Sequence, residues 1–307
     1  MSPGDGPSPD SGRRIASDAR ENPTTDGFES GMRERVIDKA EHRVYASLGQ
    51  FQSAKHYPAG VLTVMNGGLP IDIRYEPRGQ DVTTVFFHAA LTGGAYQFPV
   101  FIGAGISEGL PTNRVFIADP TLYLDDKLML GWYAGNKMQP RLQWVIRGII
   151  NALVPDSQRL VTFGSSGGGF AAMYYAAHRH NATAVPINPQ TNIAKYLPAS
   201  IERYANLGWG LSGQTALEEM TAVTDLTKVY RSTTAKVFYV QNRNDGYHMA
   251  QHYEPFMNAL PEVHDVHPVL PDGPQGHKAP DKAIIRATLE AAIAGHDTPP
   301  GAVANLI

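Results

Sequence analysis

The chain has 307 residues, 42% of them hydrophobic, enough to bury a sizeable core in one large domain or two small ones. A formal net charge of −3 and a pI near 6.4 argue against nucleic acid as a partner. With no cysteine, disulfides, thiolate chemistry and cysteine-ligated metals are ruled out.

Residues 1–30 are rich in Pro, Gly, Ser and Asp and poor in large apolar side chains. Such a stretch buries too little surface to offset its ordering entropy and reads as a mobile tail. It has no basic start followed by an apolar stretch, so it does not read as a secretory signal. No apolar run is long enough for a bilayer span. The expectation is a soluble cytoplasmic protein with a single folded domain over 31–307.

The folded pattern starts near residue 60. GVLTVMNGGLPIDIRY holds two extended runs about Asn66-Gly67, a hairpin signal. TTVFFH (83–88) is apolar without alternation, as for a strand buried on both faces. RVFIAD (114–119), RLVTF (159–163) and AKVFYV (235–240) repeat the type. TAVPIN (183–188) and VHDVHPVL (263–270) read as strands penalised by a proline. Between the strands, Leu142, Val145, Ile146, Ile149, Ile150 and Leu153 form one helical stripe. Helices are also expected from Gly169 to His180 and from Asp281 to Ala294. This alternation predicts an α/β domain: a mostly parallel central sheet, helices on both faces and the early hairpin as an antiparallel edge. Residues 189–232 interrupt the rhythm with a long, aromatic, partly helical insertion. It is either a cap over a site or extra packing helices.

The most informative segment is LVTFGSSGGGFAAM (160–173), which passes from a strand through GSSGG into a helix. GSSGG fits G-x-S-x-G with Ser166 at the centre. A serine on a sharp strand-to-helix turn is strained and needs small neighbours two positions away, here Gly164 and Gly168. Centring on Ser165 would place Phe163 in a small-residue slot. The Gly167 N–H would point at an anion forming beside Ser166, aided by the helix dipole. A phosphate loop of the Walker type needs a Lys, and residues 160–177 contain none.

In this motif and its setting the chain resembles the α/β-hydrolase superfamily over about residues 60–295. The resemblance implies an α/β-hydrolase fold with a helical cap insertion at about 189–232. It also implies that the acid follows the nucleophile in the chain and the histidine comes last. Asp245, after the AKVFYV strand, fits the acid better than Asp225, which precedes that strand. His277, in PDGPQGHKAPDK, fits the base; His264 and His267 fall in the expected strand before it. His248 and His252 follow Asp245 too closely and are expected to start a helix. A second oxyanion donor maps to Ala90 in FFHAALTGG, where the family often has His-Gly, with Leu91 as the alternative; His88 reads as structural.

The implied chemistry is two-step acyl transfer through an acyl-enzyme on Ser166. The substrate would be a small-molecule or glycan-linked ester, some similar Gly-Ser-Ser-x-Gly-Gly proteins accompanying bacterial surface-glycan systems. Transfer to an alcohol, or a non-catalytic binding role on the same fold, are the other readings. No cofactor is implied. The histidines of HDVH (264–267) would face opposite ways on a strand, poor for a metal. Tyr123, Trp132, Tyr133, Tyr196, Tyr204 and Trp209 offer either a pocket lining or core packing.

Overall fold

A computed structural model describes residues 32–92 and 95–303. The tail expected at 1–30 lies outside them. Nine strands form one sheet: β1 (His42–Tyr45), β2 (Gly60–Asn66), β3 (Leu69–Glu76), β4 (Val82–Phe87), β5 (Asn113–Ile117), β6 (Arg159–Ser165), β7 (Ala182–Ile187), β8 (Lys236–Val240) and β9 (Val266–Val269). Their spatial order is β1-β2-β3-β5-β4-β6-β7-β8-β9. Only β3 runs antiparallel to its neighbours. The helices are α1 (Leu48–Gln52), α2 (Leu142–Leu153), α3 (Gly167–Ala176), α4 (Pro198–Arg203), α5 (Ala216–Glu219), α6 (Leu226–Val229), α7 (Gly246–His248), α8 (Glu254–Ala259) and α9 (Lys282–Ala294).

Consecutive residues of the central strands serve two cores. Val85, Phe87, Val115, Ile117, Val237 and Tyr239 pack with α1, α2 and α3 on one face. Phe86, Phe116, Val161, Phe238 and Val240 pack against Ile285, Leu289 and Ile293 of α9 on the other. Both faces being covered explains why these strands carry no polar alternation.

The hairpin forms as expected, with positive φ at Gly67 and Gly68, the combination that favours glycine in a two-residue turn. It is not the outer edge. Strand β1, which has no long apolar run to announce it, pairs parallel to β2 outside it. Pro186 is tolerated inside β7: the β7–β8 register is interrupted at Val185 and Pro186, where proline has no N–H to give. Strand β9 is shorter than expected, and His264 precedes it.

The insertion between β7 and β8 does not stand apart. Ile193, Tyr204, Ala216, Leu226 and Tyr230 are buried in the same core as α2 and α3. Tyr230 donates to Met173 O (3.0 Å), and Gln143 and Val223 exchange two hydrogen bonds (2.9 and 2.8 Å). Among the described residues no helix is long and apolar enough to cross a membrane.

The antiparallel side carries a buried charge cluster. Asp72 on β3 is fully buried and takes a bidentate hydrogen bond from Arg35 (2.8 and 2.5 Å). Thr63 (2.5 Å) and Tyr123 (2.6 Å) donate to the same carboxylate. Removing one partner of such a pair strands the other charge in the interior, a loss of about 3–5 kcal/mol. Asp72→Ala should lower the unfolding free energy by about that amount in urea titration; a loss below about 1 kcal/mol would mean Arg35 escapes to water.

Candidate active site

Strand β6 ends at Ser165 and α3 starts at Gly167, so Ser166 alone makes the turn. Its φ of 55° and ψ of −118° are unusual for a residue with a side chain. The turn is tied down by Ser166 N–H to Ile187 O (2.9 Å) and by Ser166 O accepting from Gly169 and Phe170 (3.0 and 3.2 Å). Two glycines make it possible. A Cβ on Gly164 would sit 2.1 Å from Gly168 O; one on Gly168 would sit 2.4 Å from Phe87 O and 2.6 Å from His88 O. The second contact brings the loop after β4 directly against the turn.

Three loops at the C-terminal ends of parallel strands converge here. Asp245, after β8, is the N-cap of α7, its Oδ1 accepting from His248 N (3.2 Å). His277 lies in the loop between β9 and α9. Its Nδ1 is 2.8 Å from Asp245 Oδ2 and its Nε2 is 3.0 Å from Ser166 Oγ. The structure thus brings Ser166, His277 and Asp245 into one hydrogen-bonded chain. Burial works to raise the Asp245 pKa, but the hydrogen bond from His277, then the His248 imidazole and backbone N–H, outweigh it. The carboxyl lies below its ordinary value.

The Gly167 and Ala90 N–H groups carry no hydrogen bond among the described residues, while Leu91 N–H is given to Met129 O (2.9 Å). Of the two alternatives for a second donor, Ala90 is the one with its N–H unspent. His88 is buried, with Nδ1 2.8 Å from Ala89 O and Nε2 accepting from Asp119 N (3.2 Å). Asp225 caps α6, with its Oδ1 accepting from Thr227 N (3.0 Å). Tyr123, Trp132, Tyr133 and Tyr204 are core residues, whereas Tyr196 and Trp209 are half-buried.

Several residues at the site had no distinctive spacing. Asn242, fully buried, takes Gly273 N–H and Asn244 N–H on Oδ1 (3.0 Å each). Its Nδ2 donates to Pro274 O (2.6 Å) and Lys278 O (3.2 Å). Asn188 donates to Lys278 O as well (2.9 Å) and accepts from Asn242 N (2.8 Å). These two asparagines hold the irregular loop that carries His277.

His248 stacks on His277 at 3.8 Å between ring centres with an 8° tilt, and His252 lies behind it at 4.9 Å. Both are buried. His248 Nδ1 comes within 3.0 Å of Asp245 Oδ2 but off the hydrogen-bonding direction, and no ring nitrogen of either residue has a hydrogen bond among the described residues. Burial pushes His248 down to about 4 and His252 to about 3. Ligand atoms of Asp245, His248 and His277 lie within 4.8 Å of one another. Parallel rings send their in-plane lone pairs side by side, a poor arrangement for one metal ion.

Two outcomes follow from this packing. Asn242→Ala should leave the sheet folded but free the His277 loop, lowering the rate at which Ser166 reacts with a fluorophosphonate by about tenfold or more; an unchanged rate would mean the loop holds without it. The unfolded chain protonates His248 and His252 near 6.5, the folded one only near 4 and 3. Unfolding therefore takes up protons, and stability present above 6.5 is lost as pH falls. Urea titrations should show a loss on the order of 1–4 kcal/mol between pH 7 and pH 5, reduced in His252→Leu. An equal slope in that variant would exonerate His252.

No family model matches the chain, and no curated protein does. Solved structures do. The capsule O-acetyltransferase of Neisseria meningitidis serogroup A superposes with a TM-score of 0.57 at 16% identity, covering 79% of this chain and 98% of that one. A 2,6-dihydroxy-pseudo-oxynicotine hydrolase gives 0.55 at 13% identity, covering 79% of this chain and 70% of the other. An acylaminoacyl peptidase of Pyrococcus horikoshii gives 0.53 at 14% identity over 78% of this chain and 41% of its own. Identities this low speak to the fold alone. With its mostly parallel nine-stranded sheet, its helices on both faces and these neighbours, the chain has the α/β-hydrolase fold.

Proposed function

We propose that the protein is a serine hydrolase that cleaves an ester bond through an acyl-enzyme on Ser166. The observation that carries this reading is the unbroken chain from Ser166 Oγ to His277 Nε2 (3.0 Å) and from His277 Nδ1 to Asp245 Oδ2 (2.8 Å), on a strained turn.

His277 accepts the Ser166 hydroxyl proton at Nε2 as Oγ attacks the carbonyl carbon. Asp245 holds the tautomer that leaves Nε2 free to accept and stabilises the imidazolium. The carbonyl electron pair moves onto oxygen, facing the N–H groups of Gly167 and Ala90, each donor supplying roughly 3–4 kcal/mol. His277 returns the proton to the leaving alcohol as the tetrahedral adduct collapses. A water deprotonated by His277 then releases the acid and restores the Ser166 hydroxyl. The insertion over 189–232 contributes Gln190 to the site, its Nε2 2.7 Å from Ser166 Oγ.

The fold neighbour that is an O-acetyltransferase favours a second outcome of the same acyl-enzyme, transfer to an alcohol. Product analysis with an alcohol added to the assay separates the two, because transfer yields a new ester rather than free acid.

Exposure to a fluorophosphonate should add one adduct by intact mass, retained in Ser165→Ala and absent in Ser166→Ala. Hydrolysis of a p-nitrophenyl ester should fall by about a thousandfold or more in Ser166→Ala and in Asp245→Asn. No adduct on folded wild-type protein would sink the reading and favour a binding role.

A further inference from the structure

Ser166 Oγ has a partner that the acyl-transfer reading does not use. Gln190 Nε2 lies 2.7 Å from it, and Gln190 is fully buried. The orientation of the carboxamide follows from its other end. Trp132 Nε1 is hydrogen-bonded to the Gln190 Oε1 position. An indole N–H can only donate, so the atom facing it must be the amide oxygen. The NH2 group is thereby turned to Ser166, and the Tyr196 hydroxyl sits beside the same amide.

Strained backbone aims the indole. Trp132 and Tyr133 are consecutive non-glycine residues with φ of 53° and 54°, a conformation costing on the order of 1–3 kcal/mol each. Fixed partners hold them there. Tyr133 N–H donates to Asp119 Oδ2 (2.9 Å) and its hydroxyl to Ile117 O (3.0 Å), while Tyr175 donates to Tyr133 O (3.0 Å). The Trp132 ring is wedged edge-on against Tyr204 (5.2 Å) and Tyr196 (6.0 Å).

A hydroxyl oxygen has four tetrahedral directions. At Ser166 one is Cβ, one is the O–H toward His277, and one lone pair receives Gln190. We infer that Gln190 is a catalytic residue: its N–H leaves a single Oγ lone pair to attack the carbonyl and stabilises the charge that gathers on Oγ. As the Oγ–H bond breaks, the proton goes to His277 and the Oγ–C bond forms. In deacylation the Oγ–C bond breaks and His277 returns the proton. Gln190 transfers nothing; it donates to Oγ in both steps.

The inference rests on Ser166 being the nucleophile, and the test separates the two. Fluorophosphonate labelling rates are compared for wild type, Gln190→Ala and Gln190→Glu across pH 5–9, with thermal melts to show folding. The Glu side chain keeps the shape and still accepts from Trp132, but presents an acceptor to Oγ until it is protonated. Hydrogen bonds to a developing charge are worth about tenfold to a hundredfold in rate. Gln190→Ala should label about that much more slowly at every pH. Gln190→Glu should be slower still at high pH, its rate relative to wild type recovering as pH falls. Should Gln190→Glu not fold, Trp132→Phe removes the orienting donor and should slow labelling severalfold. Labelled wild type with variants that match its rate, or a Gln190→Glu ratio that does not change with pH, overturns the role of Gln190 and leaves Ser166 standing. Unlabelled wild type sinks both.

Discussion

The architecture around the site depends on the close approach of three backbones at one point. The turn at Ser166 exists only where the start of α3 can lie against both the end of β6 and the carbonyls that follow β4. A Cβ on Gly164 would fall 2.1 Å from Gly168 O and one on Gly168 2.4 Å from Phe87 O, so neither position accepts a side chain without a shift. Everything polar around Ser166 takes its place from this. The N-terminus of α3 begins beside Ser166, the backbone of Phe87 and His88 lies against Gly168, and the segment after β7 presents Gln190 to Oγ.

Parallel strands explain why distant residues meet. Strands β4, β6, β7, β8 and β9 all run the same way, so their following loops gather at one end of the sheet. Ser166, Asp245 and His277 come from three such loops. Loops are the least regular part of a fold, yet this site requires fixed geometry. Rigidity is supplied by side-chain amides: Asn242 and Asn188 hold the His277 loop through its backbone, and Gln190 spans Trp132 and Ser166. Amides suit the task because each has both a donor and an acceptor end and carries no charge into the interior.

The histidines show the complementary cost. The ring nitrogens of His248 and His252 are buried without a hydrogen bond among the described residues, a condition tolerated because their pKa values fall low enough to keep the rings neutral. Their aromatic faces are then what the structure uses. His248 lies flat against His277 and packs edge-on to Tyr196, restricting the ring that must present Nε2 to Ser166.

The sequence by itself determined the α/β class, the strand-turn-helix at GSSGG and the candidates Ser166, Asp245 and His277. The first two rest on local signals, apolar runs without alternation and small residues around one serine; Asp245 and His277 followed from the order of acid and histidine that the α/β-hydrolase resemblance implies. Tertiary structure decided the rest. It set β1 outside the hairpin, because an edge strand of four residues carries no periodic pattern. It drew the 189–232 insertion into the main core, since Tyr204 and Leu226 read alike in a separate cap or in a shared one. It also selected Gln190, Trp132, Asn242 and His248. Glutamine, tryptophan, asparagine and histidine occur at such positions for many reasons, and no spacing marks these four. Their contacts run 24 to 58 residues apart in the chain, from Gln190 and Ser166 through His248 and His277 and Asn242 and Gly273 to Trp132 and Gln190, and only the folded backbone brings them together.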